Sequence, residues 1–295
     1  MGTGQFGFGE KSSNVKELDT FFNRSGEKPK SFITLLYGDG GSGKTFTGMS
    51  FPEPVIYIDT EERATYCKYY NYPDKDVKIY SPISIKPEIS DAENALDTYQ
   101  TIENVTEFVT TLYKEITAGR KVGTVVFDSV TDLWSYIQDW GVYELAKRGK
   151  ADSTTFRMKD QFDWRVPNKK YMQIMLALRA MTNFGVYVVL TAREDKPPDY
   201  VKDRTSKKNL IRAQKDTQFF SDVIFNMRTT NDNGTEKYMA HCGKLVSLAP
   251  NNVIVEDLNF NKIIELKERA EKVIQNRKKV DRVEQKTTVE APSAF

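Results

Sequence analysis

A glycine-rich stretch between two apolar runs carries the residues best suited to chemistry. Residues 38–45 read Gly-Asp-Gly-Gly-Ser-Gly-Lys-Thr and fit the pattern G-x-x-x-x-G-K-[ST] at every fixed position. Glycines let the backbone wrap closely with its N–H groups pointing inward, and a following helix adds its own unpaired N–H groups. The sequence therefore predicts a P-loop, which binds the phosphates of a nucleoside triphosphate.

The last residues of this loop have individual expected roles. Lys44 is expected to reach the β- and γ-phosphate oxygens, and the Thr45 hydroxyl is expected to ligate Mg²⁺. The predicted nucleotide-binding set is the loop and the residue after it: Gly38, Asp39, Gly40, Gly41, Ser42, Gly43, Lys44, Thr45 and Phe46.

Other polar side chains follow short apolar runs along the chain. These runs and their polar ends are Val55–Ile58 with Glu61, Thr124–Phe127 with Asp128, and Val186–Leu190 with Thr191. Apolar runs of this length are typical of buried parallel strands. Because a P-loop precedes it, Asp128 is predicted to be the second Mg²⁺ anchor, acting on the shell of the metal.

The elements that must position these residues alternate between strand and helix patterns, which predicts an α/β fold with one mostly parallel, helix-flanked sheet. Before Asp128, the predicted elements are strand 32–37, helix 43–50, helix 62–71, strand 77–80, a loop at 82–100 and helix 102–119. After it, residues 130–167 begin as a helix and become less regular, and helical spacing resumes over 168–184. The Asn-Gly pair at 233–234 predicts a hairpin that joins strands 221–227 and 237–246.

Four segments are expected along the chain. They are a flexible N-terminal arm with a short helix (1–30), the ATPase-like core (31–250), a C-terminal extension with a charged helix (251–286) and a disordered tail (287–295). The apolar residues of helix 261–286 recur at three- and four-residue steps, so this helix could pack on the core or pair with a partner helix.

Composition excludes several classes of function. The chain has 295 residues and a formal net charge of +2, so it is not a polycation and any nucleic-acid surface must be local. No apolar run approaches the roughly 20 residues of a membrane span, and the first residues lack the apolar core of a secretory signal. Cys67, Cys242 and His241 form no recognisable metal-binding pattern. A soluble, cytoplasmic protein is expected.

The order of these segments resembles the RecA/RadA-type ATPase core over residues 31–250. The resemblance rests on the P-loop strand, Ile58-Asp-Thr-Glu61, Phe127-Asp128-Ser129 and a strand that ends Leu190-Thr191. The chain looks closest to the phage and archaeal-virus RecA-core proteins of single-strand annealing recombination. There, as here, a tryptophan-containing helix (162–181 in this chain) leads into a Val-Val-Leu-Thr-Ala strand.

The resemblance implies ATP and Mg²⁺ as ligands, a homo-oligomer and, for a viral protein, a location in the host cytoplasm. Glu61 takes the place of the glutamate that activates the attacking water, and Thr191 that of a polar γ-phosphate sensor. Lys244 lies where such oligomers insert a basic finger into the next subunit's active site. Arg193 departs from the pattern, since related phage proteins often have histidine there and RecA has a glutamine nearby.

Residues 195–216 take the place of the family's mobile DNA-binding loop. They contain seven Lys/Arg and four Asp, a local net charge of +3. Contacts to the phosphates of single-stranded DNA, and stacking of the tyrosine on a base, are expected from Tyr200, Lys202, Arg204, Lys207, Lys208 and Arg212.

Two other functions remain open from the sequence. One is a motor ATPase that translocates DNA, as in packaging or unwinding. The other is a nucleotide-switched scaffold that binds a protein through helix 261–286 and does not touch DNA. Binding of single-stranded DNA, measured against salt with and without ATP, would separate these functions.

Overall fold

The computed structural model describes residues 31–89, 95–149, 158, 160–195, 211–232, 234–245 and 253–289, with side chains described up to residue 274. The predicted N-terminal arm, residues 196–210 of the basic segment and the last part of the predicted tail lie outside these residues.

A single sheet runs through the described part of the chain. Its strands are β1 (Ile33–Gly38), β2 (Val55–Asp59), β3 (Val77–Tyr80), β4 (Thr124–Asp128), β5 (Tyr187–Glu194), β6 (Ile211–Arg212), β7 (Val223–Asp232), β8 (Thr235–Leu245) and β9 (Ile254–Glu256). The strand order is β3-β2-β4-β5-β1-β7-β8-β9, with β6 paired to β5. The first six strands in this order are mutually parallel, whereas β6, β8 and β9 pair antiparallel with their neighbours.

Helices cover both faces of the sheet. They are α1 (Lys44–Met49), α2 (Ala64–Asn71), α3 (Thr98–Thr117), α4 (Val130–Lys147), α5 (Gln161–Met181), α6 (Thr217–Phe220) and α7 (Phe260–Val289). One hydrophobic core forms between the sheet and α3, α4 and α5, and another between the sheet and α1, α2 and α7. Central strand β4 is buried along its whole length, as expected for a strand covered on both faces. The predicted α/β fold with a C-terminal hairpin and helix is confirmed.

The register of the parallel strands brings their polar ends to one edge of the sheet. Asp59 pairs with Asp128, Leu36 pairs with Thr191, and Gly38 pairs with Arg193. Strand β5 lies between the P-loop strand β1 and strand β4. The end of β5 therefore lies between the ends of β1 and β4 along the sheet edge.

Residues 130–149 and 160–167 are more regular than their sequence pattern predicts. Helix α4 continues to Lys147, and α5 begins at Gln161 rather than 168. The Asp160 side chain caps α5 by accepting from the backbone N–H groups of Phe162 (2.8 Å) and Asp163 (2.9 Å). Pro167 lies inside this helix, against Gly141 of α4. Capping and packing thus outweigh the local preference of proline for helix ends.

Several strands also extend beyond their predicted limits. Strand β5 continues past Thr191 to Glu194, where it pairs with the short strand β6. The predicted C-terminal extension shares the core with the predicted ATPase-like domain, because β9 joins the sheet and Ile263 of α7 is fully buried. Among the described residues, no helix is both long and apolar enough to span a bilayer.

Candidate functional site

The P-loop leaves strand β1 at a point where only glycine fits. A Cβ at Gly38 would overlap the backbone carbonyl oxygen of Met227 on the neighbouring strand β7. Gly43 forms the N-cap of α1 and has φ 88°. Residues other than glycine rarely adopt this left-handed backbone conformation. The two glycines let the loop turn back over the end of the sheet and enter the helix.

The Lys44 amine contacts the loop itself. Its Nζ donates to the carbonyl oxygens of Gly38 (3.0 Å) and Asp39 (2.7 Å). Burial lowers the pKa of Lys44, and the nearby charges of Asp128 and Glu61 act against that shift. The predicted phosphate ligand therefore lies at the same edge of the sheet as both predicted carboxylates.

Asp128 lies at the centre of a set of hydroxyl groups. It is 4% exposed, and its carboxylate accepts from the hydroxyls of Thr45 (2.9 Å), Tyr57 and Thr191. Burial, followed by the charge of Asp128, raises the pKa of Tyr57 well above its usual value, so this phenol stays a proton donor. The three hydroxyls come from α1, β2 and β5 and converge on one buried carboxylate.

Glu61 lies in a turn held by a second buried carboxylate. The Asp59 side chain accepts from the backbone N–H of Glu61 (3.1 Å) and from that of Ala64 (2.8 Å). Burial raises the pKa of Asp59, an effect partly offset by the hydrogen bond from Ala64. Asp59 thus links the end of β2 to the start of α2 and fixes the backbone that carries Glu61.

Arg193 connects Glu61 to the start of α4. Its Nη2 atom lies 3.1 Å from Oε1 of Glu61 and 3.2 Å from the Asp132 carboxylate. Asp132 also accepts from the Ser129 hydroxyl (3.0 Å). Burial raises the pKa of Asp132, and the charge of Arg193 acts in the opposite direction.

The donor set fits a nucleotide with Mg²⁺. Magnesium prefers oxygen ligands and is usually held by one or two carboxylates together with substrate phosphates. Here the Thr45 hydroxyl and the Asp128 carboxylate are 2.9 Å apart beside a glycine loop. An added Cβ at Gly40 or Gly41 would meet no atom within 4 Å, so the outer side of the loop is open.

The structure does not bring Lys244 to this site within the chain. Lys244 pairs with Ile224 near the start of β7, at the opposite edge of the sheet. Its Nζ donates to the carbonyl oxygen of Ser221 (2.6 Å). The predicted contact of Lys244 with a neighbouring subunit stays a prediction.

Only one of the predicted DNA-binding side chains belongs to a described residue. Arg212 is exposed and lies in β6, paired with Arg193. The others, Tyr200, Lys202, Arg204, Lys207 and Lys208, lie outside the described residues. Ile211 and Arg212 of this segment lie at the sheet edge beside Glu194 and Arg193, because β5 and β6 pair there.

Sequence reasoning missed several residues of the site. Tyr57 lies within a strand pattern that was interpreted only as core. Asp59 was noted as part of the Asp-Thr-Glu resemblance but given no role, and Asp132 lies in the first turn of α4. A tyrosine and an aspartate inside an apolar strand were the available signals, since buried polar side chains need partners. The signal available for Asp132 was its spacing, because it is a carboxylate four residues after the predicted metal anchor Asp128.

A protein-family model and a solved structure are similar to this chain. A family model described as an AAA domain matches residues 30–242. No curated protein matches the chain. A solved structure of a KaiC-like protein from the hyperthermophilic archaeon Pyrococcus horikoshii OT3 is similar, with 16% sequence identity, 76% of this chain and 84% of that chain covered, and a TM-score of 0.42. A score this low supports no transfer of that protein's properties to this chain.

Proposed function

We propose that this chain, which belongs to the AAA domain family, binds ATP with Mg²⁺ in the P-loop and hydrolyses the β–γ phosphoanhydride bond. The observation that carries the proposal is the hydrogen bond between Thr45 and Asp128 beside the loop. This contact joins the end of the phosphate-binding loop to a buried carboxylate, and these two residues would hold a magnesium ion beside the bound phosphates.

Each residue has one task in this proposal. The P-loop backbone and Lys44 would hold the phosphates, and Thr45 with Asp128 would hold the metal or its water shell. Bound Mg²⁺ supplies positive charge against the charge that develops on the transferring phosphoryl group. Glu61 orients and deprotonates the attacking water. Thr191 places a hydroxyl beside Asp128, from which it can sense the γ-phosphate.

Two substitutions test these roles. Lys44→Ala is expected to abolish nucleotide binding, measured with a fluorescent ATP analogue, because it removes the charge that faces the phosphates. Glu61→Gln is expected to keep binding but to lose turnover, measured as phosphate release. The two tasks are separate, so the two variants should fail at different steps.

Matched controls are available on α2 and beside Glu61. Lys68 also donates to two backbone carbonyl oxygens, of Tyr72 (2.9 Å) and Pro73 (2.6 Å), but it is not part of the loop. Glu62 neighbours Glu61 and accepts from the Ser81 hydroxyl (3.1 Å). Lys68→Ala and Glu62→Gln should leave binding and turnover unchanged. Equal loss of nucleotide binding in Lys44→Ala and Glu61→Gln would contradict the assigned roles.

The proposed partner is single-stranded DNA, gripped by an oligomer while ATP is bound, in recombination, annealing or repair. The resemblance to annealing proteins and the net positive charge of 195–216 support it. The pairing of Arg193 with Arg212 supports it further, because it places Arg212 of that segment next to the arginine that contacts Glu61. Loss of the γ-phosphate on hydrolysis would therefore affect segment 195–216 through Arg193, which contacts both Glu61 and the strand that carries Arg212.

Binding of a labelled oligonucleotide, measured by anisotropy over a range of salt concentrations with and without ATP, tests this partner. Binding is expected to fall steeply with salt. Exchange of Lys207 and Lys208 for glutamate should reduce the slope of log K against log[salt] by about 0.7 for each phosphate that is no longer neutralised. Lys114 and Lys121, which belong to α3 and the segment after it, serve as charge-matched controls. No binding in any nucleotide state would support a protein scaffold instead.

A further inference from the structure

Arg193 contacts Glu61 in a way that leaves one carboxylate oxygen for chemistry. Its Nε (3.2 Å) and Nη2 (3.1 Å) both donate to Oε1 of Glu61. Within the described residues, Oε2 of Glu61 accepts no hydrogen bond. A general base needs a free oxygen within hydrogen-bonding reach of the water that it activates. Arg193 therefore fixes one oxygen of Glu61 and leaves the other oxygen available to act as a general base.

The guanidinium of Arg193 is itself held in place. Its Nη2 donates to Asp132 (3.2 Å), whose side chain is only 12% exposed. The backbone N–H of Arg193 donates to the Thr131 hydroxyl (2.8 Å). Because the guanidinium is planar and contacts carboxylates on two sides, rotation about its side chain would break at least one contact.

We propose that Arg193 is a positioning residue for ATP hydrolysis: it holds Oε1 of Glu61 and so directs Oε2 toward the attacking water. The inference rests on the proposed function and adds a residue to it. Arg193 is 45% exposed, and exposed ion pairs add little to folding stability. Its contribution is expected in the turnover rate, because small errors in the position of a reacting group cost large factors in rate.

A double-mutant cycle of Arg193→Met with Glu61→Gln tests the proposal, with single-turnover hydrolysis and nucleotide affinity as readouts. Arg193→Met should lower the hydrolysis rate about 10- to 100-fold and leave nucleotide affinity unchanged. In the Glu61→Gln background the same substitution should have no further effect, because both residues act through one carboxylate. Arg193→Lys should recover only part of the rate, since an ammonium group lacks the planar fork that bridges two carboxylates.

Arg228→Met is the matched control. Arg228 lies on β7 and is 53% exposed, and its Nη2 is 3.2 Å from Glu194. Loss of this second exposed ion pair should leave hydrolysis unchanged. Thermal unfolding of all variants should agree closely, which would exclude a general loss of structure.

Three results would overturn the inference. Faster hydrolysis by Arg193→Met would show that the arginine restrains Glu61 instead. A full further loss in the Glu61→Gln background would show that the two residues act independently. Normal hydrolysis by Arg193→Met, with Glu61→Gln inactive, would remove Arg193 from the reaction but keep the proposed function. Normal hydrolysis by Glu61→Gln would instead contradict the proposed function itself.

Discussion

At the carboxyl end of the parallel strands, Asp128 contacts hydroxyl groups of several elements, whereas at the amino end Asp222 and Ser31 contact backbone groups at or beside the starts of the strands. Asp128 at the carboxyl end accepts from hydroxyls of three different elements. Asp222 at the amino end accepts from the backbone N–H of Ile33 (2.9 Å) and from Arg179 (2.7 Å). The Ser31 hydroxyl donates to the carbonyl oxygen of Val186 (2.7 Å) there.

The contacts at the two ends of the parallel strands have different roles. A side chain that satisfies a backbone group at the start of a strand removes the cost of a buried, unpaired peptide group, so it serves folding. Carboxylates that gather beside a loop, with the pKa raised by burial as in Asp59 and Asp132, are instead typical of functional sites. The contrast predicts changes in activity at one end and changes in stability at the other.

The largest effect is expected from Asp128→Asn at the carboxyl end. The amide keeps the shape and one oxygen for the three hydroxyls, but it loses the charge that holds the metal. Turnover should fall about 10²- to 10³-fold, the loss typical of a single electrostatic group in an active site. Phosphate release and urea unfolding are the measurements. A variant that loses stability but keeps turnover would break the comparison.

Asp222→Asn at the amino end should have the opposite profile. The amide loses the charge that pairs with Arg179, and its contact with the N–H of Ile33 weakens. We expect a loss of about 1–3 kcal/mol in the free energy of unfolding. Turnover at a temperature where the protein is folded should stay at the wild-type level. Reduced turnover of the folded variant would show that residues at the amino end of the strands also contribute to activity, contrary to the proposed comparison.

Lys244→Met sharpens the comparison, because Lys244 lies at the amino end but has a predicted role in a neighbouring site. Loss of its bond to the Ser221 carbonyl should cost about 1 kcal/mol of stability. Turnover of the dilute chain should not change. A loss of turnover confined to concentrations at which the chain self-associates would assign Lys244 to the active site of the neighbouring subunit.

The smallest expected effect is a pH dependence that comes from Lys44. Burial lowers the pKa of Lys44 in the folded state from its ordinary value of 10.5, so the unfolded chain binds more protons between these two values. Stability should therefore rise with pH through that window, relative to the Lys44→Met variant. Urea unfolding of both proteins at several alkaline pH values is the measurement. A difference that stays constant with pH would contradict the burial of the charged amine.

Much of the fold could be predicted because its signals are local. Apolar runs marked the parallel strands, and the Asn-Gly pair marked the β7–β8 hairpin. Helical spacing placed the start of α5 at 168, whereas the resemblance implied a helix from 162, close to the observed start at Gln161. Packing of Pro167 against Gly141 comes from a different helix, so no pattern near residue 167 contains it.

The sequence by itself determined the phosphate-binding loop, because all of its working groups are contiguous and their spacing sets the chemistry. It also marked Glu61, Asp128 and Thr191 as side chains at or near strand ends. Only the tertiary structure decided how they meet. Because β5 lies between β1 and β4, the Thr191 hydroxyl donates to Asp128 and the Arg193 guanidinium donates to Glu61. Strand order and register arise from long-range packing of the two cores, which residue spacing along the chain does not encode.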